Sequence, residues 1–112
     1  MLGSGAFVVF DDTTDFVRAA HNLVRFFAHE SCGQCTPCRE GGSWMERVLD
    51  RLVQHRGVPG DYEMLLRVSS SITGLNLCPL GDSIEPFLKS VMLRFPDQFK
   101  SRIVSVPEPQ AV

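Results

Sequence analysis

The chain has 112 residues, which favours a single domain with one modest core. Hydrophobic residues make up 44% and charged residues 21%, a globular balance and not a disordered one. The net charge of −2 lacks the basic footprint of a nucleic-acid binder. The longest uninterrupted apolar stretch, Ala6-Phe7-Val8-Val9-Phe10, is far too short for a membrane span. No basic segment precedes it and Asp11-Asp12 closes it, which argues against a secretory signal.

The stretch 6–10 is β-prone and predicts one strand, which must pair with something else because a single strand is not a sheet. Residues 11–14, Asp-Asp-Thr-Thr, then offer helix-capping side chains. From Asp15, the positions Phe16, Val17, Ala20, Leu23, Val24 and Phe27 recur at helical spacing, so a first helix is predicted to end near His29. Thr36-Pro37 looks like a cap and a first-turn proline. A second helix follows to about His55, with Met45, Val48, Leu49, Leu52 and Val53 inward. Gly57-Val58-Pro59-Gly60 is a turn. Asp61 caps a third helix with Met64, Leu65, Val68 and Ile72 inward, ended by Gly74. After an irregular segment, Asp82 or Ser83 caps a fourth helix carrying Phe87, Leu88, Val91, Met92 and Phe95. Pro96 interrupts it, and residues 97–103 add a last turn or two. The tail 105–112 reads as disordered. The predicted fold is all-α: a small four-helix bundle over 15–104, with one N-terminal strand and lead-in over 1–14. Short connections favour antiparallel neighbours.

Four cysteines carry the chemistry: Cys32, Cys35, Cys38 and Cys78. Without an export signal the expected compartment is reducing, so metal binding or redox chemistry leads over disulfides. The pattern is C-x2-C-x2-C, completed by a remote Cys-Pro. Zinc wants four ligands around one ion and usually takes two separated pairs. A cubane has four irons, each needing its own thiolate, and bacterial ferredoxins use the same local run of three with a remote Cys-Pro. A [4Fe-4S] centre is therefore the main expectation, and a structural zinc-binding interaction module held by all four cysteines is the alternative. Gly33 lets the backbone turn close beneath the centre. Arg39 and the starts of the second and fourth helices would face it with positive charge.

The run Glu30-Ser31-Cys32-Gly33-Gln34-Cys35-Thr36-Pro37-Cys38-Arg39-Glu40-Gly41 resembles the cluster-binding motif of the flavoprotein subunit of NADH:quinone oxidoreductase, respiratory complex I. Leu77-Cys78-Pro79-Leu80-Gly81-Asp82 is similar to that family's second motif. The likeness spans about residues 2–104. The same module occurs in diaphorase subunits of NAD-dependent formate dehydrogenases and NAD-reducing hydrogenases. The resemblance implies a helical domain with one [4Fe-4S] cluster on Cys32, Cys35, Cys38 and Cys78. In the full subunit, FMN takes a hydride from NADH, and the cluster passes single electrons towards quinone. The implied partners are other peripheral-arm subunits, including an iron–sulfur electron acceptor, with no nucleic acid and no membrane span. The implied location is cytoplasmic, peripheral on the inner face of the membrane through a complex.

The departures are equally informative. The family's glycine-rich FMN and NADH loops lie upstream of this module, and no such region stands here. Gly3-Ser4-Gly5 precedes a predicted strand, whereas a dinucleotide fingerprint follows one and opens a helix. The FMN and NAD sites are therefore expected outside this chain, which reads as a C-terminal fragment, a split gene product or an excised domain and is not catalytic alone. Gly42 stands where the family often has threonine, and Pro79 replaces a usually small residue. Gly41 and Gly42 together are expected to weaken the second helix by about 1–2 kcal/mol. His21, His29 and His55 are read as structural, with His29 favourable at a helix C-terminus. Trp44 is expected to pack in the core, Met45, Met64 and Met92 to fill it, and Phe26 to meet a partner surface.

Overall fold

The computed structural model describes residue 3 and residues 5–104, so the tail 105–112 lies outside the described residues. Six helices follow in order: α1 (Phe16–Glu30), α2 (Thr36–Val53), α3 (Asp61–Ile72), α4 (Pro79–Asp82), α5 (Ile84–Arg94) and α6 (Pro96–Lys100). The four long helices pack in a ring, α1 on α2, α2 on α3, α3 on α5 and α5 back on α1. This is the all-α bundle that the helical spacing predicts.

Each boundary has a local cause. Asp15 caps α1, its carboxylate accepting from the Val17 and Arg18 N–H groups. Pro37 sits in the first turn of α2, where a missing N–H costs nothing. Gly60 enters α3 at φ +93°, and Gly74 leaves it at φ +79°. Both angles lie in the left-handed region that glycine tolerates best. Pro86 falls in the first turn of α5 and is accommodated there for the same reason as Pro37. Pro96 pushes Phe95 out of helical geometry, to φ −127° and ψ 52°, and so separates α5 from α6.

The inward faces meet in one core. Val17, Ala20 and Val24 come from α1, and Met45, Val48, Leu49 and Leu52 from α2. Tyr62, Leu65 and Ile72 join from α3, Ile84, Leu88, Val91 and Met92 from α5, and Phe99 from α6. Phe99 is fully buried. The Tyr62 hydroxyl donates to the Met92 carbonyl at 3.0 Å. Burial, with the Glu63 charge beside it, raises the Tyr62 pKa.

The predicted strand 6–10 is not formed. These residues carry no ladder, and Phe7, Val8 and Val9 are largely exposed. A strand exists only through a hydrogen-bonded neighbour, and β-propensity alone supplies none. The one β-bridge among the described residues joins Gly57 to Ile103. Phe10 instead leans edge-on against Phe16, which stacks on Phe95 with ring centroids 4.0 Å apart. The start of α1 is closed from α6: the Gln98 Oε1 accepts from the Phe16 N–H at 2.9 Å, and Arg102 pairs with Asp15 at 2.7 Å.

Antiparallel order decides where the functional end lies. α1 ends, α2 begins, α3 ends and α4 begins at the same end of the bundle. Two connecting segments meet there, and they carry the four cysteines.

Candidate metal centre

Ser31 ends α1 with an extended backbone, its N–H still bonded to the Phe27 carbonyl at 3.1 Å. Gly33 turns at φ +83°, a left-handed angle that strains any side chain. The Ser31 hydroxyl accepts from the Gly33 N–H at 3.3 Å and lies 3.3 Å from the Cys38 thiol. Cys35 is the N-cap residue of α2, and Cys38 lies in its first turn, buried. The run of three cysteines is thus half loop and half helix, so a short stretch can point its thiols at one place.

The second segment leaves α3 at Gly74 and enters α4 at Pro79, with Cys78 as the extended N-cap residue. The Leu77 N–H donates to the Cys35 sulfur at 3.3 Å and so ties the two segments together. Cys32, Cys35, Cys38 and Cys78 all line one cavity of about 90 Å³, with Glu30, Ser31, Asn76 and Leu80 completing its wall. All four thiols are free. Every cysteine that the sequence singles out is therefore brought to one place, across 39 intervening residues.

Three expectations need correction. α5 starts after Ser83 as expected, but the segment before it is not wholly irregular: the one-turn α4 forms there, because Pro79 begins a helical turn that Ser83 closes with hydrogen bonds back to Pro79 and Leu80. Arg39 does not line the cavity. Its guanidinium bonds the Gly33 carbonyl and lies 2.8 Å from Glu40, so it braces the loop from outside. Trp44 is 57% exposed rather than core, because it borders an open groove between α2 and α3 instead of facing the bundle axis. Phe26 is exposed, as its adjacency to the inward Phe27 requires.

None of the histidines lines the cavity, although His29 pairs with the wall residue Glu30 at 3.1 Å. His21 lies 4.0 Å from Asp50. Asn76 is a wall residue that the spacing of cysteines does not reveal. Its signal in the sequence is only a small polar residue two places before Cys78.

The donor set is four soft thiols and no imidazole, a set suited to zinc or an iron–sulfur cluster. Among the described residues, no three His, Cys, Asp or Glu side chains gather as a set for a single metal ion. The four thiols line one shared cavity, an arrangement to be weighed between the four corners of a cluster and one tetrahedral zinc. Fold and site together define a helical module that gathers four cysteine thiols around one cavity at one end of a four-helix bundle.

The family described as the NADH-ubiquinone oxidoreductase-F iron-sulfur binding region matches residues 18–102, and the chain belongs to that family. The first F subunit of the NADH-quinone oxidoreductase of Rhizobium meliloti (strain 1021) is 41% identical over 102 residues, covering 91% of this chain and 24% of its own length. The F subunit of the same enzyme from Mycobacterium bovis (strain ATCC BAA-935 / AF2122/97) is 42% identical over 103 residues, covering 92% and 23%. This chain therefore spans about a quarter of these relatives. Two crystal structures of an NAD+-reducing [NiFe]-hydrogenase share the fold. The H2-reduced form has a TM-score of 0.78 at 30% identity, over 86% of this chain and 16% of that one. The air-oxidised form has a TM-score of 0.80 at 29% identity, over 92% and 18%. No helix among the described residues is long and apolar enough to cross a membrane.

Proposed function

We propose that Cys32, Cys35, Cys38 and Cys78 each hold one iron of a single [4Fe-4S] cluster, and that the chain is a one-electron carrier module of an NADH-oxidising complex. The observation that carries this is the convergence of all four thiols on one cavity. When bound, the cluster supplies reversible one-electron storage. The chain's own contribution is to hold it and tune it. The Leu77 N–H already donates to the Cys35 sulfur, and the Ser31 hydroxyl, which accepts from the Cys38 thiol, would turn to donate once that sulfur is a thiolate; such bonds favour the reduced state.

In this reading electrons arrive from FMN that NADH has reduced. They leave to an iron–sulfur subunit of the peripheral arm and move towards quinone. FMN and NADH are held by the part of the subunit upstream of this module. The assembly sits on the inner, cytoplasmic face of the membrane through its other subunits. The relatives support this reading, since the two F subunits belong to NADH-quinone oxidoreductases and the structural neighbour is an NAD+-reducing hydrogenase.

Anaerobic reconstitution of the 112-residue chain with iron and sulfide tests the assignment. The expected product holds about four irons and four sulfides and gives the paramagnetic signal of a [4Fe-4S]+ centre on reduction. One tightly held zinc without labile sulfide would contradict it and favour the four-cysteine zinc module.

A further inference from the structure

The segment that carries Cys78 is held by residues that do not themselves ligate. Asp82 Oδ1 accepts from the Gly74 N–H at 3.0 Å and from Asn76 Nδ2 at 2.6 Å. The same Asn76 nitrogen donates to the Ile72 carbonyl at 2.7 Å, at the end of α3, where the Leu75 N–H also donates at 3.2 Å. Gly81 is buried against this amide, and a Cβ there would lie 2.7 Å from Asn76 Cγ and Nδ2. That distance is closer than real contacts allow. Asn76 also lines the cavity beside Cys78, and its Oδ1 is buried without a partner. A buried acceptor without a partner is destabilising, so the remaining bonds must hold the amide in place.

Cys78 needs such support. It is exposed, has an extended backbone, and its thiol makes no hydrogen bond among the described residues. Cys38, by contrast, is buried and lies beside the Ser31 hydroxyl.

We propose that Asn76, Gly81 and Asp82 form a positioning bracket that sets the fourth thiolate and controls retention of the iron it holds. The inference rests on the cluster assignment above. Gly81 leaves room for the Asn76 amide, and that amide joins Asp82 to the end of α3. Together they close residues 72–82 into a rigid arch with Cys78 in its span. Residues that orient a metal ligand change metal affinity by roughly 10- to 100-fold when removed.

The test uses the reconstituted full chain with ferricyanide and a chelator. Under these conditions a [4Fe-4S]2+ core releases one Fe2+ to the chelator and one electron to ferricyanide, leaving [3Fe-4S]+. Asn76→Ala and Gly81→Ala should each speed this loss roughly 10- to 100-fold over wild type, read as the three-iron paramagnetic signal and as chelated iron. The double variant should lose iron no faster than Asn76→Ala alone, because the added methyl then meets no amide. Asp82→Asn, which keeps the accepting oxygen, should recover most of the loss seen in Asp82→Ala. Helix content of the metal-free variants should match wild type by circular dichroism. Variants that keep four irons as well as wild type would overturn the bracket and leave the cluster assignment standing. Iron loss that tracks a fall in helix content would also overturn it, since the residues would then be supporting the fold. A wild-type chain that binds no four-iron cluster would overturn the assignment itself.

Discussion

Replacing Gly42 by alanine should stabilise the chain, while replacing its neighbour Gly41 should weaken it. Both lie inside α2, where alanine is favoured over glycine by about 1 kcal/mol. They differ in what stands opposite. A Cβ on Gly42 would meet the Ala28 Cα at 3.5 Å, an ordinary contact between α1 and α2. A Cβ on Gly41 would lie 2.8 Å from Ile72 Cγ2. Ile72 is buried and β-branched, so it has little freedom to swing aside. Overpacking of this kind costs about 1–3 kcal/mol, which exceeds the propensity gain. The two variants should therefore differ by about 2 kcal/mol. At about 4–8 °C per kcal/mol for a small domain, their melting temperatures should separate by about 10 °C, with wild type between them. Thermal unfolding followed by far-ultraviolet circular dichroism measures this. Equal shifts in the same direction would refute the claim that Gly41 is kept for close approach of α3.

Other perturbations probe other parts of the molecule. Burial alone would raise the Asp15 pKa, but the Arg102 hydrogen bond and charge and the capped N–H groups bring it below the usual 3.8. A lowered carboxylate pKa gives stability that is fully present above 3.8 and lost as pH falls through the folded-state value. Asp15→Asn should then lower stability near neutral pH by at most about 1 kcal/mol, the range of a partly exposed ion pair, in urea unfolding, with the gap closing in acid; a gap independent of pH would argue against the ion pair. Arg51→Ala removes the 2.6 Å ion pair of the fully buried Asp61 carboxylate and leaves it the Val58 N–H at 2.9 Å. The loss should be about 2–3 kcal/mol, at the low end for a buried pair because Arg51 is partly solvated, and an unchanged denaturation midpoint would contradict it. Cys78→Ser should yield a three-iron or degraded centre after reconstitution, whereas a stable four-iron product would remove Cys78 from the ligand set.

Helix positions and the core are legible in the sequence because periodicity reports burial directly. Val17, Ala20 and Val24 are buried where the spacing places them, as are Met45, Val48, Leu49 and Leu52. The four cysteines are legible because their pattern is unusual for any other purpose. The strand expected at 6–10 does not form because β-propensity is local while pairing is not. Trp44 escapes sequence reasoning because an aromatic residue says nothing of which helix face it occupies until neighbouring helices are placed. The roles of Gly41 and Gly81 are hidden for the same reason. Their meaning lies in Ile72 and Asn76 opposite them, and a glycine's partner cannot be read from its neighbours in sequence. Asn76 and Asp82 act through hydrogen bonds across a loop, which no period marks.

The most direct test of the cluster assignment is native mass spectrometry of the anaerobically reconstituted chain, alongside the Cys78→Ser variant. The expected result is a wild-type mass increase equal to four irons and four sulfides, and its loss or reduction to a three-iron core in the variant. A wild-type increase equal to a single metal ion, or an identical four-iron adduct in both proteins, would contradict it.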